Sequence, residues 1–393
     1  MHCTQIIVAI IVASFPAIMG TAPARTRSND TSSIQYLRFV PHSGFGNQII
    51  AFRNAWCLAK DLNRTLYWPV VLKHGDTSHG SCGRRVADAK TMLNKYLSQK
   101  LHTRPPMSDL FRDGDGPADG KPPIWWPYEP VQCPKPGSCV MPSTQANCGK
   151  SLTTAASELR KVKAPGIILG SAFTFTLDHG CMARAPPYHP SVVAGVTALL
   201  SKLAPNGYDA MHLRLTEQKY QQRANKTETR VIEWLENKAA GNWSVYVATD
   251  SRDKALQVTQ RAAAAASANF RQRSGTNASM PRITFLWQKD LDIRSDVILG
   301  HLSEPEREKI SFMLPLLVDT ILCAHARRFI GTRGSTFSNH IVDEQRRIAL
   351  ERGAAAAGAG ALAPRPGELP PLPAGILDIG TSRRRGRRSS RRE

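Results

Sequence analysis

The sequence predicts an α/β fold built on parallel sheets, and three observations predict it. Short β-rich runs alternate with longer stretches of helical periodicity, most cleanly in the second half, which is how strands joined by crossover helices read. Glycine-bearing turns stand between a strand pattern and a helix pattern near residues 41–46 and again near 331–335. At 393 residues with 41% hydrophobic and 21% charged residues, the chain can bury a core and has room for two domains of about 150 residues each. Two such sheets with a cleft between them are the expected architecture.

The elements follow in order. Residues Ile6–Met19 (IIVAIIVASFPAIM) are apolar and of signal-peptide length, and the small residues Gly20, Ala22 and Ala24 come next. This reads as a secretory signal over 1–24, with an uncleaved anchor as the alternative. Beyond it no run of about 18 apolar residues occurs, so a multi-span membrane protein is excluded. Tyr36-Leu37-Arg38-Phe39-Val40 is the first strand, residues 41–46 turn, and from Asn47 a helix is expected with Ile49, Phe52, Trp56 and Ala59 on one face. That helix should stop near Asn63, and Thr65-Leu66-Tyr67-Trp68 reads as the next strand. Residues His102–Cys148 are rich in Pro, Gly and Asp and read as an irregular, disulfide-pinned insertion. Ile167-Ile168-Leu169-Gly170 is again a strand, and Pro186-Pro187-Tyr188-His189-Pro190 an interdomain crossing.

In the second half the expected strands are Tyr208–Arg214, Val245–Thr249, Ile283–Leu286 and Phe329–Gly331, with a helix over Ile310–Ala326. Ala262–Ala266 is a low-complexity patch, read as a loop or helix extension. The domain organisation expected is a signal at 1–24, an N-terminal Rossmann-like domain at 34–188 with its Cys/Pro-rich insertion, and a C-terminal Rossmann-like domain at 189–352. An Ala/Pro-rich linker and Arg-rich tail, disordered by composition, fill 353–393.

Charge and cysteines bound the partners and the compartment. The formal net charge is +21, of which Arg383–Glu393, with seven Arg and one Glu, carries +6. The remaining +15 suits an anionic small substrate as well as a polyanion, and no nucleic-acid partner is expected. Loss of Cys3 with the signal leaves seven cysteines with no C-x-x-C pair, so disulfides are favoured over zinc. One thiol is left over, and Cys57 or Cys323, each in an apolar helical pattern, is the candidate. Asn-X-Ser/Thr triplets at Asn29, Asn63, Asn225, Asn242 and Asn277 agree with a lumenal address.

Four segments could carry chemistry. Gly44-Phe45-Gly46-Asn47-Gln48 joins a strand to a helix, where glycines permit close approach of a ligand and the helix offers free N–H groups to an anion. Asn47 stands where an N-cap belongs, which is its alternative role. A dinucleotide fingerprint is disfavoured, because a third glycine and a closing acid are missing. His212-Leu213-Arg214 ends a strand, with His212 and Arg214 on one face. The fork of Arg214 suits a diphosphate, and the alternative is a structural ion pair with Glu217. In Phe329–Ser338 a strand runs through a glycine turn to Ser335 and Thr336, which would cradle phosphate, or Ser335 simply caps the helix. Asp250 ends the strand Val245–Thr249 and could accept from a ribose or base, or cap the helix after it. No H-E-x-x-H, nucleophile elbow or P-loop appears.

These segments, with Leu58-Ala59-Lys60-Asp61-Leu62-Asn63-Arg64-Thr65-Leu66, resemble the GDP-fucose protein O-fucosyltransferase family in order and separation, over roughly residues 36–345. The resemblance implies a GT-B fold of two Rossmann-like domains, GDP-fucose as donor held mainly by the C-terminal domain, inversion at the sugar carbon, and no cofactor or metal. By position it places Asn47 near the transferred sugar, Arg214 on the β-phosphate and His212 beside the nucleotide. Ser335, Thr336 and Phe337 would line the diphosphate and base pocket, and Gly44, Phe45 and Gly46 the first loop. It also implies an acceptor hydroxyl on a protein Ser or Thr, in the lumen of the endoplasmic reticulum or Golgi. A glycan acceptor, or a secreted polyanion-binding protein without catalysis, are the alternatives. The chain departs from the family where Leu215-Thr216-Glu217 follows Arg214, where residues 41–46 hold no acid, and where Ala326-Arg327-Arg328 precedes Phe329. If a base is used, Glu217 or His42 is the in-chain candidate.

Overall fold

The first strand pairs with its neighbours in parallel, and that pairing already sets the architecture. A computed structural model describes residues 35–39, 41, 44–66, 70–71, 107–111, 139–140, 152–163, 166–169, 181, 185–201, 204–217, 224–236, 242–274 and 282–356. All of these fall in one compact unit that starts at Ile34. The signal segment, Cys82, Cys133, Cys148, the triplets at Asn29 and Asn277, and the Arg-rich tail lie outside the described residues.

β1 (Tyr36–Phe39) leads through Gly44 into α1 (Phe45–Leu62), which ends at Asn63 in the left-handed region with φ 53°. β2 (Thr65–Leu66), a 3₁₀ turn at Met107–Leu110, β3 (Cys139–Val140), α2 (Leu152–Leu159) and β4 (Gly166–Leu169) complete the first half. Its sheet has the order β2-β1-β4-β3 and every pairing is parallel. Of the expected insertion at 102–148 the described residues are the 3₁₀ turn and β3, which is the edge strand of this sheet.

The second half runs α3 (Pro190–Ser201), β5 (Asp209–Leu213), α4 (Ala224–Glu236), β6 (Asn242–Thr249), α5 (Arg252–Ser274), β7 (Arg282–Trp287), α6 (Ser295–Ile298), α7 (Glu304–Ile310), α8 (Leu314–His325), β8 (Phe329–Gly331) and α9 (Thr336–Ala356). Its sheet has the order β7-β6-β5-β8, again all parallel. The α/β fold class with two parallel sheets is as the sequence predicts.

Strand alternation sorts this sheet into two faces. Ala210, Tyr246, Ala248 and Leu286 belong to the large core that includes α8, whereas Met211, Leu213, Val245, Val247 and Trp287 pack with residues of α4 and α5. Ala262 and Ala266, four residues apart, are buried in that second core. The alanine patch is thus the interior of α5, not a loop: small side chains let the helix lie close to its neighbours. Pro315 stands at the start of α8, so the expected helix over 310–326 begins with a 3₁₀ turn at Ser311–Met313 and continues from Leu314.

One cysteine expectation is corrected. Cys57 is bridged to Cys181, 124 residues away, while Cys323 is the buried free thiol among the described residues. Cys57 lies on the buried face of α1, where a thiol and half of a disulfide look alike in sequence.

Candidate functional site at the carboxyl edge of the second sheet

β5 is buried along its whole length and lies between β6 and β8. The first residues beyond these three parallel strands therefore arrive together, at the edge where open α/β sheets hold ligands. Thr332 ties them: its hydroxyl donates to the His212 carbonyl at 2.8 Å and accepts the Arg214 N–H at 2.9 Å. Asp250 accepts from the Leu215 N–H at 2.7 Å, the Thr216 N–H at 3.3 Å and the Thr216 hydroxyl, and pairs with Arg214 Nε at 3.1 Å. Its carboxylate thus shapes the loop after β5 and does not turn toward the helix that follows its own strand.

Arg214 also pairs with Glu217, through Nη2 at 2.8 Å and Nε at 3.3 Å. The Arg214 side chain remains 31% exposed, so it is not a buried structural ion pair. His212 is the contrary case. It is buried, its Nδ1 stands 2.7 Å from the Ser338 hydroxyl, and its ring meets Phe337 edge-on at 4.9 Å. Burial first, and Arg214 beside it, push the His212 pKa down to about 3 against the opposing pull of Asp250. The ring is neutral at physiological pH and orients neighbours by hydrogen bonding.

The β8–α9 turn makes the opposite wall. Gly334 takes a φ of 79°, which L side chains rarely adopt, and the Ser335 carbonyl accepts the Asn339 N–H at 3.0 Å, as an N-cap residue's does. Gly331 permits the approach of α9, because a Cβ there would stand 2.7 Å from the Ser338 Cβ.

α1 brings the other helix terminus to the same place. Its N-cap is Gly44, with extended backbone and no side-chain cap. Asn47 sits at the third helical position, which corrects the expected capping role. Its N–H donates to the Gly44 carbonyl at 3.0 Å, while its Oδ1 is buried with no hydrogen-bond partner among the described residues. A Cβ on Gly46 would lie 3.1 Å from the Phe337 Cα, so the first turns of α1 and α9 touch backbone to backbone.

The same two helices meet lower down, where Arg53 bonds Glu344. The separation of 291 residues holds for Arg53 with Glu344 and for Gly46 with Phe337 alike. α1 and α9 therefore run side by side in the same direction, with their N-termini level. The free N–H groups and the positive ends of two helix dipoles converge beside Arg214. The register is held by a buried polar cluster. Arg347 Nη2 lies 2.5 Å from Glu344, and Tyr188 Oη lies 2.7 Å from His340 Nε2. Burial alone would raise the Glu344 pKa, but Arg347 and Arg53 hold its carboxyl well below the usual range.

The structure thus gathers Gly44, Phe45, Gly46, Asn47, His212, Arg214, Glu217, Asp250, Ser335, Thr336 and Phe337 around one edge. His42 lies outside the described residues. Thr332 and Ser338 were missed, although both fall in the quoted β8 segment. The parallel register His212↔Gly331 is the signal that places them beside β5. Among the described residues no three His, Cys, Asp or Glu side chains are grouped to hold a metal ion, and no helix is long and apolar enough to cross a membrane.

Comparison with known proteins agrees with the motif reading. No family model matches the chain. O-fucosyltransferase 30 of Arabidopsis thaliana is 48% identical over 48 residues, which cover 12% of this chain and 10% of that relative. The chain is similar to an O-fucosyltransferase. Among solved structures, the alpha-1,6-fucosyltransferase NodZ soaked with GDP-fucose aligns at 14% identity over 79% of this chain and 92% of its own, with a TM-score of 0.43. A NodZ structure from Bradyrhizobium gives a TM-score of 0.41 at 14% identity, over 78% of this chain and 92% of its own. POFUT1 in complex with GDP-fucose aligns at 14% identity over 79% of this chain and 93% of its own, with a TM-score of 0.41.

Proposed function

We propose that the protein is a fucosyltransferase that moves fucose from GDP-fucose to a protein Ser or Thr hydroxyl with inversion. It would be a GT-B enzyme of two Rossmann-like domains, 34–188 and 189–352, working in the secretory lumen. The observation that carries the reading is the pair of level helix N-termini beside Arg214, a built site for a diphosphate. Motif order and the short match to an O-fucosyltransferase supply the sugar. The Cys57–Cys181 bridge suits an oxidising compartment.

In this reading the diphosphate lies against Ser335, Thr336 and the glycine turn at 44–46, and negative charge builds on the β-phosphate as the sugar leaves. Arg214 and the two helix termini meet that charge without reorganising. Asn47, whose buried amide oxygen has no partner among the described residues, accepts from a sugar hydroxyl. His212, fixed neutral against Ser338, and Phe337 shape the nucleotide side.

The test is GDP release from GDP-fucose by the purified protein, alone and with Ser/Thr peptides or glycans. Acceptor-stimulated release with a fucosylated peptide is expected. Turnover of another GDP-sugar but not of GDP-fucose would overturn the donor, and a fucosylated glycan but not peptide would move the acceptor.

A further inference from the structure

The candidate site holds one compensated cation and one uncompensated one. Arg214 gives Nε and Nη2 to two carboxylates, Glu217 and Asp250, so its charge is matched at short range. His212 is buried and neutral. The helix ends of α1 and α9 each amount to about half a positive charge, and that effect falls off within the first turn. These groups can grip a diphosphate that has arrived, but they project little field into solvent.

Arg333 is the uncompensated cation. The Ser335 N–H donates to the Thr332 carbonyl at 3.1 Å, which closes a turn with Arg333 and Gly334 at its centre. Gly334 has φ 79°, and among the described non-glycine residues only Asn63 has a positive φ. This is the pattern of a type II turn with Arg333 at the first central position. Arg333 is exposed, and its side chain makes no hydrogen bond or ion pair among the described residues. The backbone on both sides belongs to the site: Thr332 bonds the His212 carbonyl and the Arg214 N–H, and Ser335 opens α9. In the two turns that wall the site, 44–47 and 332–336, Arg333 is the only charged residue. An arginine side chain is shorter than the screening length of about 10 Å at 0.1 M salt. Whichever way it turns, its charge is felt at the end of α9.

We propose that Arg333 is the steering charge of the site, drawing the diphosphate of the nucleotide sugar to the paired helix ends and setting how fast the donor arrives; this rests on the diphosphate site of the reading above. The division of work is by distance. Arg333 acts on the approaching anion, and Arg214 and the helix N–H groups act on contact. An exposed charge of this kind changes the association rate and its salt dependence more than the dissociation rate.

The experiment compares wild type with Arg333→Gln, Arg333→Glu and Arg333→Lys, each shown to be folded by its thermal transition. Arg327→Gln is the control: it removes one exposed positive charge at the opposite, amino edge of the same sheet. Stopped flow with fluorescently labelled GDP gives both rates from about 0.01 M to about 1 M salt, over which the screening length falls from about 30 Å to about 3 Å. Arg333→Gln should slow association on the order of 3–10-fold at low salt and match wild type at high salt. Arg333→Glu should be slower still, and Arg333→Lys should keep the wild-type rate, because steering needs a charge and no fork. Arg327→Gln should stay near wild type. Equal rates for Arg333→Gln and Arg327→Gln would overturn the proposal, and so would a loss that persists at high salt. Inorganic pyrophosphate, titrated by calorimetry at both salt extremes, separates this inference from the reading beneath it. Pyrophosphate bound with an Arg333-dependent salt response, but no binding of GDP, would sink the fucosyltransferase reading and leave Arg333 standing. No binding of either anion would remove the diphosphate site and the steering with it.

Discussion

Glu344→Gln should harm the protein far more than Arg53→Met, although the two residues share one ion pair. Glu344 faces two guanidiniums at once, Arg53 and Arg347, and the three side chains are 2%, 0% and 5% exposed. Neutralising Glu344 leaves Arg347 with Glu351, which is 57% exposed, and leaves Arg53 buried with no carboxylate among its described partners. An uncompensated buried charge of this kind costs about 3–5 kcal/mol. Removing Arg53 is different. Glu344 keeps Arg347, with contacts at 2.5 and 2.9 Å, and two buried donors that have no acceptor, Arg53 Nε and Nη1, disappear with the side chain. Met fills much of the same volume, so the net cost should stay within about 1–2 kcal/mol. Urea unfolding of the three proteins measures both numbers. GDP affinity should fall with Glu344→Gln, because the pair fixes how α1 and α9 align at their N-termini. Equal destabilisation by the two substitutions would refute this division of labour. So would a loss below about 1 kcal/mol for Glu344→Gln.

Arg214→Ala should lower turnover on the order of 100-fold or more, about 3 kcal/mol, with a smaller loss of GDP affinity. Arg214→Lys should recover little, because a point charge lacks the fork; near-normal turnover of folded Arg214→Ala would remove the residue from the chemistry. Asp319 offers a stability test. Its carboxyl is pushed up to about 7 by burial, against the hydrogen bonds from Tyr246 at 2.5 Å and Gln288 at 3.0 Å. The folded pKa exceeds the ordinary 3.8, so its contribution is intact below about pH 4 and is lost as pH rises through 7. Asp319→Asn, whose amide oxygen still accepts both bonds, should therefore raise the thermal midpoint at pH 8 by an amount worth a few kcal/mol, and little at pH 4. A lower midpoint at pH 8 would contradict that. Asn63 is exposed at the left-handed end of α1 with Thr65 two residues on, and should carry an N-glycan on secreted protein. Its peptide should change mass on glycosidase treatment.

What the sequence made legible was local. Strand ends at Gly331 and near Arg214 and the break at Asn63 follow from short runs, glycine turns and period, and so does the order of the candidate segments. What it hid depends on pairs far apart. Cys57 and Cys181 are 124 residues apart, so the apolar helical setting of Cys57 suggested a free thiol. Asn47 passes for an N-cap because its residue type caps well, yet the backbone at Gly44 turns three residues earlier. The alignment of α1 with α9 has no local trace at all, since neither Arg53 nor Glu344 announces a partner 291 residues away. The Arg214–Glu217 contact was readable as an alternative to ligand binding, because the two residues are only three apart in sequence.

The most direct test of the central claim is a calorimetric titration of the purified protein with GDP and, in parallel, with GMP. Two helix termini and Arg214 that receive a diphosphate require the second phosphate, so GDP should bind saturably at one site and GMP at least tenfold more weakly. Equal affinity for GMP and GDP, or no binding of either, would contradict it.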